Sequence, residues 1–494
     1  SAKRWPTPTS VCLDTCASAR DGLCDEGRGP AIPAGINPMT VVTVKCDLGT
    51  DCADCGEWQP KGPVSWDTNT GKGPISVLMA KGVDVRVKDA HLPPVGDPPR
   101  APFWFAFTDP KKDTDVSQHM AMGGVVEPSI TKIFYQVFKE HCIRQKGKDG
   151  NKPALFVDVG ANFGWFTAVA ASMGCRVMAF EPVPHFRAFL EYTVALNGFG
   201  DLVDVRHEVV SHETGKELRL VVPSKGYWGT AGINGLNIDS NIPGAVLENV
   251  TAKSVTLGDA VNEEVLLLKV DVEGWEWSVF RGASTLFDRH PVHNIVMEYS
   301  PGVPERSFLH DDIINTVQML IDLSNRKYKI AHLGEGKTGV TFDSPLGEFE
   351  EVTPVNLQYD LTDANALKDG KLGCPPIKEL QWSCQSLPED VSPRSLRSVI
   401  GHNTNLWLSK DDALMKLRGH IGMIKLDEPS STFTITAHPG WGMGMRWCNG
   451  IEPVYQVRHR CKCSNKDVCG EQEQQAIKLA KEGKLPQNYV LTPS

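Results

Sequence analysis

The stretch VDVGANFGWF carries residue types that a ligand site needs, because it ends an apolar run and leads into a helical one. Gly160 and Gly164 let the backbone pass close beneath a ligand, and a helix start offers free N–H groups. Asp158 precedes the first glycine by two residues, and Glu181 ends the next apolar run. An acid at that second position commonly binds ribose hydroxyls, while an acid before the turn can face an ammonium group.

These two acids narrow the choice of ligand. NAD favours the pattern GxGxxG, but Asn162 and Trp165 stand where further glycines are needed, which disfavours a NAD or nucleotide-sugar enzyme. A nucleoside with a positively charged amino-acid tail satisfies both acids, and S-adenosylmethionine is such a ligand. The alternative is that Asp158 and Glu181 only cap helices.

A second stretch, LLLKVDVEGWE, places Lys269, Asp271 and Glu273 at the end of an apolar strand. Strand alternation puts them on one side, and ligands bind at the carboxyl ends of strands in an open α/β sheet. Methyl transfer to a hydroxyl needs alignment, exclusion of water and a proton acceptor. We predict Asp271 or Glu273 for that role, with Lys269 orienting them. A buried ion-pair network and a pair of Mg²⁺ ligands are the alternatives.

Short apolar runs alternate with helical periods from about residue 125 to 345, which predicts an α/β fold with a doubly wound, mostly parallel sheet. The predicted strands are Ala154–Val159, Arg176–Phe180, Leu202–Val210, Val265–Val272 and Asn294–Tyr299. The predicted helices are Ile130–Phe138, Gly164–Met173, one from Pro184 to about Asn197, and an amphipathic one around Ile313–Ile321.

Five segments resemble, in wording and order, the FkbM family of S-adenosylmethionine-dependent methyltransferases: LFVDVGANFGWFT, AFEPVPHF, VTLGDAV, LLLKVDVEGWEWSVFRGA and IVMEYSP. The resemblance implies a class I methyltransferase (Rossmann-like) fold, S-adenosylmethionine as cofactor, and O-methylation, often of a sugar hydroxyl. It implies cofactor contacts at Asp158, Gly160, Ala161, Asn162, Phe163, Gly164, Glu181 and Asp271. It implies catalytic roles for Asp271, Glu273, Lys269 and, at the end of the next strand, Glu298.

The sequence that resembles the family is interrupted between Leu220 and Val255 by PSKGYWGTAGINGLNIDSNIPG. Loops over strand ends often carry binding residues. Tyr227 and Trp228 could stack on a sugar face, and Asn234 could bind its hydroxyls. A surface loop without a binding role is the alternative.

Cysteines cluster at both ends of the chain, with six of the 14 in the first 55 residues and six after residue 370. Even clusters of this kind indicate disulfides, and therefore an oxidising lumen or the cell exterior. Zinc knuckles in a cytosolic protein are the alternative, but the histidine spacing fits no common zinc pattern.

The stretches CLDTCASARDGLCDEG and CDLGTDCADCG look like disulfide modules of the Lin-12/Notch repeat kind, although the match is partial. That resemblance implies Ca²⁺ ligands among Asp21, Asp25, Asp47 and Asp51. Acids that only form turns in a disulfide-linked module are the alternative.

Composition divides the chain into a Cys-rich module at 1–60, a Pro-rich linker or wrapping segment at 61–124, a methyltransferase-like domain at 125–350 and a Cys- and Trp-rich domain at 351–494. A net charge of -9 argues against nucleic acid as a partner. No apolar segment is long enough to span a bilayer, so we expect membrane contact only through an anchor absent from this chain.

Together these features predict a Golgi-lumenal or secreted S-adenosylmethionine-dependent O-methyltransferase whose partner is a glycan or glycoprotein acceptor. The alternative is a catalytically inactive methyltransferase fold that serves as a glycan- or protein-binding module. The joint presence of Asp158, Gly160, Gly164, Glu181 and Asp271 favours the enzyme, because a scaffold needs no such set.

Overall fold

The structure, a computed structural model, describes residues 8–28, 41–93, 103–143, 152–238, 244–307, 309–334 and 341–369, and parts of the chain from 396 to 492. The chain divides into two compact units. The first unit comprises residues 1–297 and 335–347, and the second comprises 298–334 and 348–494. The four-part division drawn from composition stays a prediction.

The first unit combines short strands with helices. Its strands are β1 (Val42–Val44), β2 (Val85–Asp89), β3 (Trp104–Phe107), β4 (Leu155–Val159), β5 (Arg176–Phe180), β6 (Val203–Arg206), β7 (Val209–Val210), β8 (Glu217–Pro223), β9 (Gly232–Ile233), β10 (Leu247–Val255), β11 (Val265–Val270) and β12 (Val292–Tyr299), whose last two residues belong to the second unit. Its helices are α1 (Cys52–Cys55), α2 (Pro74–Ala80), α3 (Val116–Gly123), α4 (Pro128–Phe138), α5 (Trp165–Ser172), α6 (Pro184–Leu196), α7 (Leu257–Ala260), α8 (Glu276–Gly282) and α9 (Ser284–Arg289).

A parallel sheet in the order β12-β11-β4-β5-β6 forms the centre of the first unit. The chain proceeds outward from β4 to β6 and then returns to the other side of β4 with β11. The strand order therefore reverses between β4 and β11, and ligands in such sheets bind at the carboxyl ends of the strands beside this reversal. The predicted α/β class with a doubly wound, mostly parallel sheet is confirmed.

Strands β4 and β11 are buried along their whole length. On one face, Phe134 of α4 meets Phe156 of β4 edge to face, with ring centroids 5.6 Å apart, and lies 4.4 Å from Phe166 of α5. Parallel strands covered on both faces read as continuous apolar runs. This burial explains why the sequence marks both strands so clearly.

Most predicted elements of this sheet are confirmed within one to two residues, including α4, α5, α6, β4, β5, β11 and β12. The prediction of a single strand over Leu202–Val210 is wrong, because this segment forms two strands. Strand β6 ends at Arg206, and β7 leaves the central sheet to pair in parallel with the end of β10. The break places His207 and Glu208 outside both strands.

A smaller sheet has the order β7-β10-β8-β9. Strands β8 and β10 pair antiparallel, from Leu247 opposite Pro223 to Lys253 opposite Glu217. The segment predicted to bind the acceptor leaves the end of β8, and its described part is residues 224–238. We call these residues the acceptor loop.

Three disulfides hold the amino-terminal module together: Cys12–Cys52, Cys16–Cys46 and Cys24–Cys55. A fourth, Cys142–Cys175, joins the π-helical turn after α4 to the residue before β5. The prediction of amino-terminal disulfides is confirmed, and such bonds form in oxidising compartments outside the cytosol. The side chains of the six cysteines after residue 370 lie outside the described residues.

The second unit contains the helices α10 (Gly302–Arg306), α11 (His310–Asn325) and α12 (Pro354–Lys368). Its strands are β13 (Lys329–His332), β14 (Glu348–Glu351), β15 (Thr404–Ser409), β16 (Lys416–His420), β17 (Thr432–Ala437), β18 (Met445–Cys448), β19 (Glu452–Val454), β20 (His459–Lys462) and β21 (Tyr489–Thr492). They pair in the orders β16-β14-β13-β15, β20-β17-β21 and β18-β19. Over the described ranges, no helix of either unit has the length and apolar character needed to cross a bilayer.

Candidate active site

The chain turns sharply between β4 and α5, and two glycines make the turn possible. Gly160 adopts a φ of +79°, and a Cβ atom there would lie 1.9 Å from the backbone oxygen of Asp271. Gly164 adopts a φ of +87° and packs closely against α6. The N–H groups of Gly160 and Ala161 donate to the carbonyl oxygen of Phe180 over 3.1 and 3.0 Å, which ties the turn to the end of β5.

A cleft that is open to solvent lies at the carboxyl ends of β4, β5 and β11. Its walls come from the glycine turn, the residues after β5, the break between β6 and β7, the acceptor loop and the turn after β11. The polar and aromatic residues with which the cleft can recognise a ligand include Asn162, Glu181, Glu208, Asp271, Glu273 and Trp275. A concave cleft with apolar walls and a few polar groups is typical of small-molecule and cofactor sites.

Glu181, which is only 4% exposed, binds the glycine turn to the end of β5. Its Oε2 accepts the N–H of Asn162 over 2.8 Å, and its Oε1 accepts the N–H of Val183 over 2.8 Å. Burial raises the pKa of Glu181 to about 7, although both N–H groups favour the charged form. Each carboxylate oxygen keeps a second lone pair, so Glu181 can still accept hydrogen bonds from hydroxyl groups of a ligand.

Lys269 is buried and joins the two acidic stretches. Its ammonium group lies 3.2 Å from Oδ2 of Asp271 and 3.6 Å from Oδ1 of Asp158, and it donates to the carbonyl oxygen of Gly160 over 2.9 Å. Burial alone would lower the pKa of Lys269, but the carboxylates of Asp271, Asp158 and Glu127 raise it. The charged lysine therefore fixes Asp271 relative to the glycine turn.

Asp158 lies inside the core and does not line the cleft. Its Oδ2 accepts a hydrogen bond of 2.7 Å from the hydroxyl of Thr167. Burial raises the pKa of Asp158, and the charge of Lys269 opposes that rise. The structure shows Asp158 holding Lys269, and its contact with an ammonium group of a ligand stays a prediction.

The turn after β11 carries the two predicted proton acceptors. Strand β11 ends at Val270, so the expected strand alternation does not extend to Asp271 and Glu273. The side chain of Asp271 is 35% exposed. Glu273 adopts a left-handed φ of +59°, and its carboxylate accepts a hydrogen bond from the amide of Asn237 in the acceptor loop.

Glu276 supports this turn, although no motif singled it out. It is buried, and its Oε1 accepts the N–H groups of Val272 over 3.2 Å and Gly274 over 3.0 Å. Burial raises the pKa of Glu276 to about 7. Its place at the start of α8 is a usable sequence signal, because acids in a first helical turn often accept free N–H groups.

Two further acids come from the segment before β4. Asp115 precedes α3 and Glu127 precedes α4. Burial raises the pKa of Asp115 to about 7, and neighbouring carboxylates including Asp271 add to the shift. Burial also raises the pKa of Glu127 to about 8, with Asp271 and Asp115 adding and Lys269 opposing. No sequence motif marks these two acids, because only the fold brings them near the end of β11.

Phe163, a predicted cofactor contact, is buried in the core, where its ring stacks 4.3 Å from that of Phe189. In the acceptor loop, Trp228 is 2% exposed and packs against the ring of Phe186, whereas Tyr227 is 57% exposed. Asn234 is exposed. The loop borders the cleft through small and apolar residues, namely Gly229, Ala231, Gly232 and Ile233.

Glu298, the remaining predicted catalytic residue, belongs to the second unit. There its carboxylate accepts hydrogen bonds from the hydroxyl of Ser300, over 2.6 Å, and from the amide of Asn403. Its catalytic role stays a prediction.

The four predicted Ca²⁺ ligands lie in the disulfide module. Asp47 accepts N–H groups at the start of α2, and Asp21 accepts the N–H of Leu23. Asp25 pairs with the ammonium group of Lys45 at 3.0 Å, and Asp51 accepts the N–H of Asp25. Carboxylate oxygens of Asp25 and Asp51 lie within 4.8 Å of each other. Calcium binding by these residues stays a prediction.

The raised pKa values predict that the folded first unit loses stability as the pH rises. Burial raises the pKa of Glu181 and Glu276 to about 7 from an ordinary value of 4.5. At a pH between the ordinary and the raised pKa, the folded state binds more protons than the unfolded state. The stabilisation from the two protonated glutamates is therefore complete below the ordinary pKa, and it is lost as the pH rises through the raised pKa. Urea denaturation of Glu276→Gln should show a flatter pH dependence than the wild type. An unchanged pH dependence, matching that of the exposed control Glu217→Gln, would contradict this prediction.

Residues 158–330 match the model of the Methyltransferase FkbM domain. The resemblance found in the sequence is confirmed for this part of the chain, which contains the glycine turn, Glu181 and the turn after β11. The chain therefore contains an S-adenosylmethionine-dependent methyltransferase domain. No curated protein matches the chain.

Solved structures similar to the chain include a SAM-dependent methyltransferase from Agrobacterium tumefaciens, with 9% identity over 39% of this chain and 51% of that chain and a TM-score of 0.21. Precorrin-6y C5,15-methyltransferase from Geobacter metallireducens GS-15 shows 11% identity over 46% of this chain and 88% of that chain, with a TM-score of 0.23. The plantazolicin methyltransferase BpumL, solved in complex with SAH, shows 10% identity over 58% and 86%, with a TM-score of 0.24. The chain spans about half the length of the Agrobacterium protein.

Proposed function

We propose that this protein is an S-adenosylmethionine-dependent O-methyltransferase that methylates a hydroxyl group of a glycan, in the Golgi lumen or outside the cell. The observation that carries the proposal is that one cleft brings together the turn at Gly160, the carboxylate of Glu181 and the carboxylate of Asp271, which pairs with the buried Lys269.

The polar residues of the cleft suit both polar parts of the proposed cofactor, namely its ribose and its positively charged amino-acid tail. S-adenosylmethionine supplies a methyl group on a positively charged sulfur. Glu181 lines the cleft and keeps lone pairs free for hydrogen bonds from ribose hydroxyls, which supports this part of the proposal. Asp271 provides negative charge for an ammonium group and a sulfonium group, and a bound cation would favour the ionised forms of Asp115 and Glu127 nearby. The lack of a side chain at Gly160 lets the backbone of Asp271 approach closely, which brings the end of β11 next to the glycine turn.

We propose that Glu273 removes the proton from the acceptor hydroxyl. Asp271 orients the charged groups of the site. Asp271 is bound to Lys269 on the side of the glycine turn, whereas Glu273 is bound to Asn237 of the acceptor loop. A carboxylate near the hydroxyl can remove its proton as the new bond to carbon forms. Binding of Mg²⁺ by these two carboxylates is the alternative route.

A glycan acceptor is supported by the compartment and by the acceptor loop. The disulfides favour a location outside the cytosol, where glycans are abundant. Gly229 and Gly232 line the cleft, and the exposed ring of Tyr227 offers an apolar surface on the same loop.

Calorimetric titration of the whole chain with S-adenosylhomocysteine, and with NAD for comparison, tests the cofactor. We expect micromolar binding of S-adenosylhomocysteine only, weakened about tenfold or more in Glu181→Gln, because hydrogen bonds to a charged acceptor are lost. Glu217→Gln, on the exposed side of β8, should bind as the wild type does.

Transfer of a labelled methyl group to a panel of glycans then tests the acceptor, and Glu273→Gln should lower the rate about 100-fold or more. A folded chain that does not bind S-adenosylhomocysteine would overturn the proposal that the protein is an enzyme. Binding without transfer to any glycan of a broad panel would overturn the proposed acceptor.

A further inference from the structure

The chain contains a single acceptor motif for N-linked glycosylation, Asn249-Val250-Thr251. The motif needs an asparagine, a serine or threonine two positions later, and any residue except proline between them. Such motifs are used in proteins that pass through the secretory pathway. The disulfides Cys12–Cys52 and Cys142–Cys175 favour this pathway, and they do so independently of the motif.

The two recognised residues of the motif lie on the exposed face of β10. Asn249 and Thr251 are exposed, whereas Val250 between them is half-buried and Ser254 is buried. Successive side chains of a strand point to opposite faces of its sheet. The amide of Asn249 and the hydroxyl of Thr251 therefore project together toward solvent.

The other face of β10 is the one turned toward the cleft. Val250 pairs with Leu220 of β8, which lines the cleft, whereas Asn249 pairs with Val221. Directly opposite residues of an antiparallel pair share a face of the sheet. Gly235 of the acceptor loop packs on Val221, but Asn249 stays exposed. A group attached to Asn249 would therefore extend away from the side on which Leu220 borders the cleft.

The surroundings of Asn249 leave space for such a group. On one side, β10 pairs with β8 from Leu247 to Lys253. On the other side, within the described ranges, β10 pairs with β7 only at Ser254 and Val255. Asparagine is depleted in strands, so strand propensity does not account for its presence at this position.

We propose that Asn249 carries an N-linked oligosaccharide. In the transfer, the side-chain nitrogen of Asn249 attacks the first carbon of an oligosaccharide that is linked to a lipid pyrophosphate. A carbon–nitrogen bond forms, the carbon–oxygen bond to the pyrophosphate breaks, and the amide nitrogen loses one proton. The lipid pyrophosphate is the leaving group. The inference requires passage through the secretory pathway and does not depend on the proposed methyl transfer.

The test uses the full chain, produced with a cleavable leader through the secretory pathway of a eukaryotic host. Treatment with peptide N-glycosidase should lower the apparent mass of the wild type in one step. Mass spectrometry should then show that position 249, and no other asparagine position, has become aspartate. A folded, secreted wild type whose mass the treatment leaves unchanged would overturn the proposal.

A pair of variants at one position separates the motif from the fold. Thr251→Ser keeps the hydroxyl and should keep the mass shift, whereas Thr251→Ala should lose it, as should Asn249→Gln. Asn262→Gln, at an exposed asparagine outside the motif, should behave as the wild type does. A mass shift that persists in both Thr251→Ala and Asn249→Gln would show that the oligosaccharide is attached elsewhere, and would overturn the site.

Treatment of the folded chain tests the direction in which Asn249 projects. Because Asn249 lies on an exposed face, the glycosidase should release the oligosaccharide without denaturant. The chain should stay folded afterwards, with an unchanged circular dichroism spectrum. Release that occurs only after denaturation would overturn the outward placement of the oligosaccharide.

Discussion

Replacing Gly160 with alanine is expected to abolish measurable binding of S-adenosylhomocysteine and to lower the melting temperature. The new Cβ atom would lie 1.9 Å from the backbone oxygen of Asp271, so the ends of β4 and β11 must separate. The φ of +79° adds strain for any residue with a side chain, about 1 kcal/mol or more. Because a displacement of about 1 Å can cost about 100-fold in a site of this kind, calorimetry should show a loss of at least that size.

Gly215→Ala is the matched control for this variant. Gly215 has a φ of +85°, but a Cβ atom there would meet nothing within 4 Å. Both variants therefore carry the backbone strain, and only Gly160→Ala carries the clash beside Asp271. Equal binding by the two variants would show that the close approach at Gly160 has no part in the site.

The sequence reveals those parts of the site that depend on local chain geometry. Gly160 and Gly164 are recognisable because a tight turn between a strand and a helix needs glycine within a few residues. Glu181 is recognisable because it directly follows β5, a mostly apolar strand of the central sheet. These signals are short-range, so one sequence suffices to read them.

Other parts depend on contacts between distant segments, which no local pattern encodes. Asp115 and Glu127 belong to the segment before β4, and only the fold brings their carboxylates close enough to Asp271 for the charges to interact. The pairing register places Lys269 next to Asp158, so Asp158, a predicted ligand residue, is also the buried partner of the lysine. Glu208 could be recognised as a residue of the cleft only after the predicted strand Leu202–Val210 proved to be broken.

Lys269→Met is expected to destabilise the first unit by about 3 to 5 kcal/mol, because it leaves Asp158 fully buried without its cation. The substitution also removes the hydrogen bond to the carbonyl oxygen of Gly160. Hydrogen exchange measured by mass spectrometry should show faster exchange for amides of β4 and β11, since exchange reports the local opening free energy. Unchanged exchange in these two strands would contradict the prediction.

The double variant Asp158→Asn, Lys269→Met separates loss of charge pairing from loss of packing. If the uncompensated charge is the main cost, the neutral amide at position 158 should restore much of the lost protection. The oxygen of that amide can still accept the hydrogen bond that Thr167 donates to Asp158 in the wild type. A double variant that exchanges as fast as Lys269→Met alone would show that Lys269 acts through packing and the Gly160 carbonyl. Its pairing with Asp158 would then contribute little to the rigidity of the turn beneath the cleft.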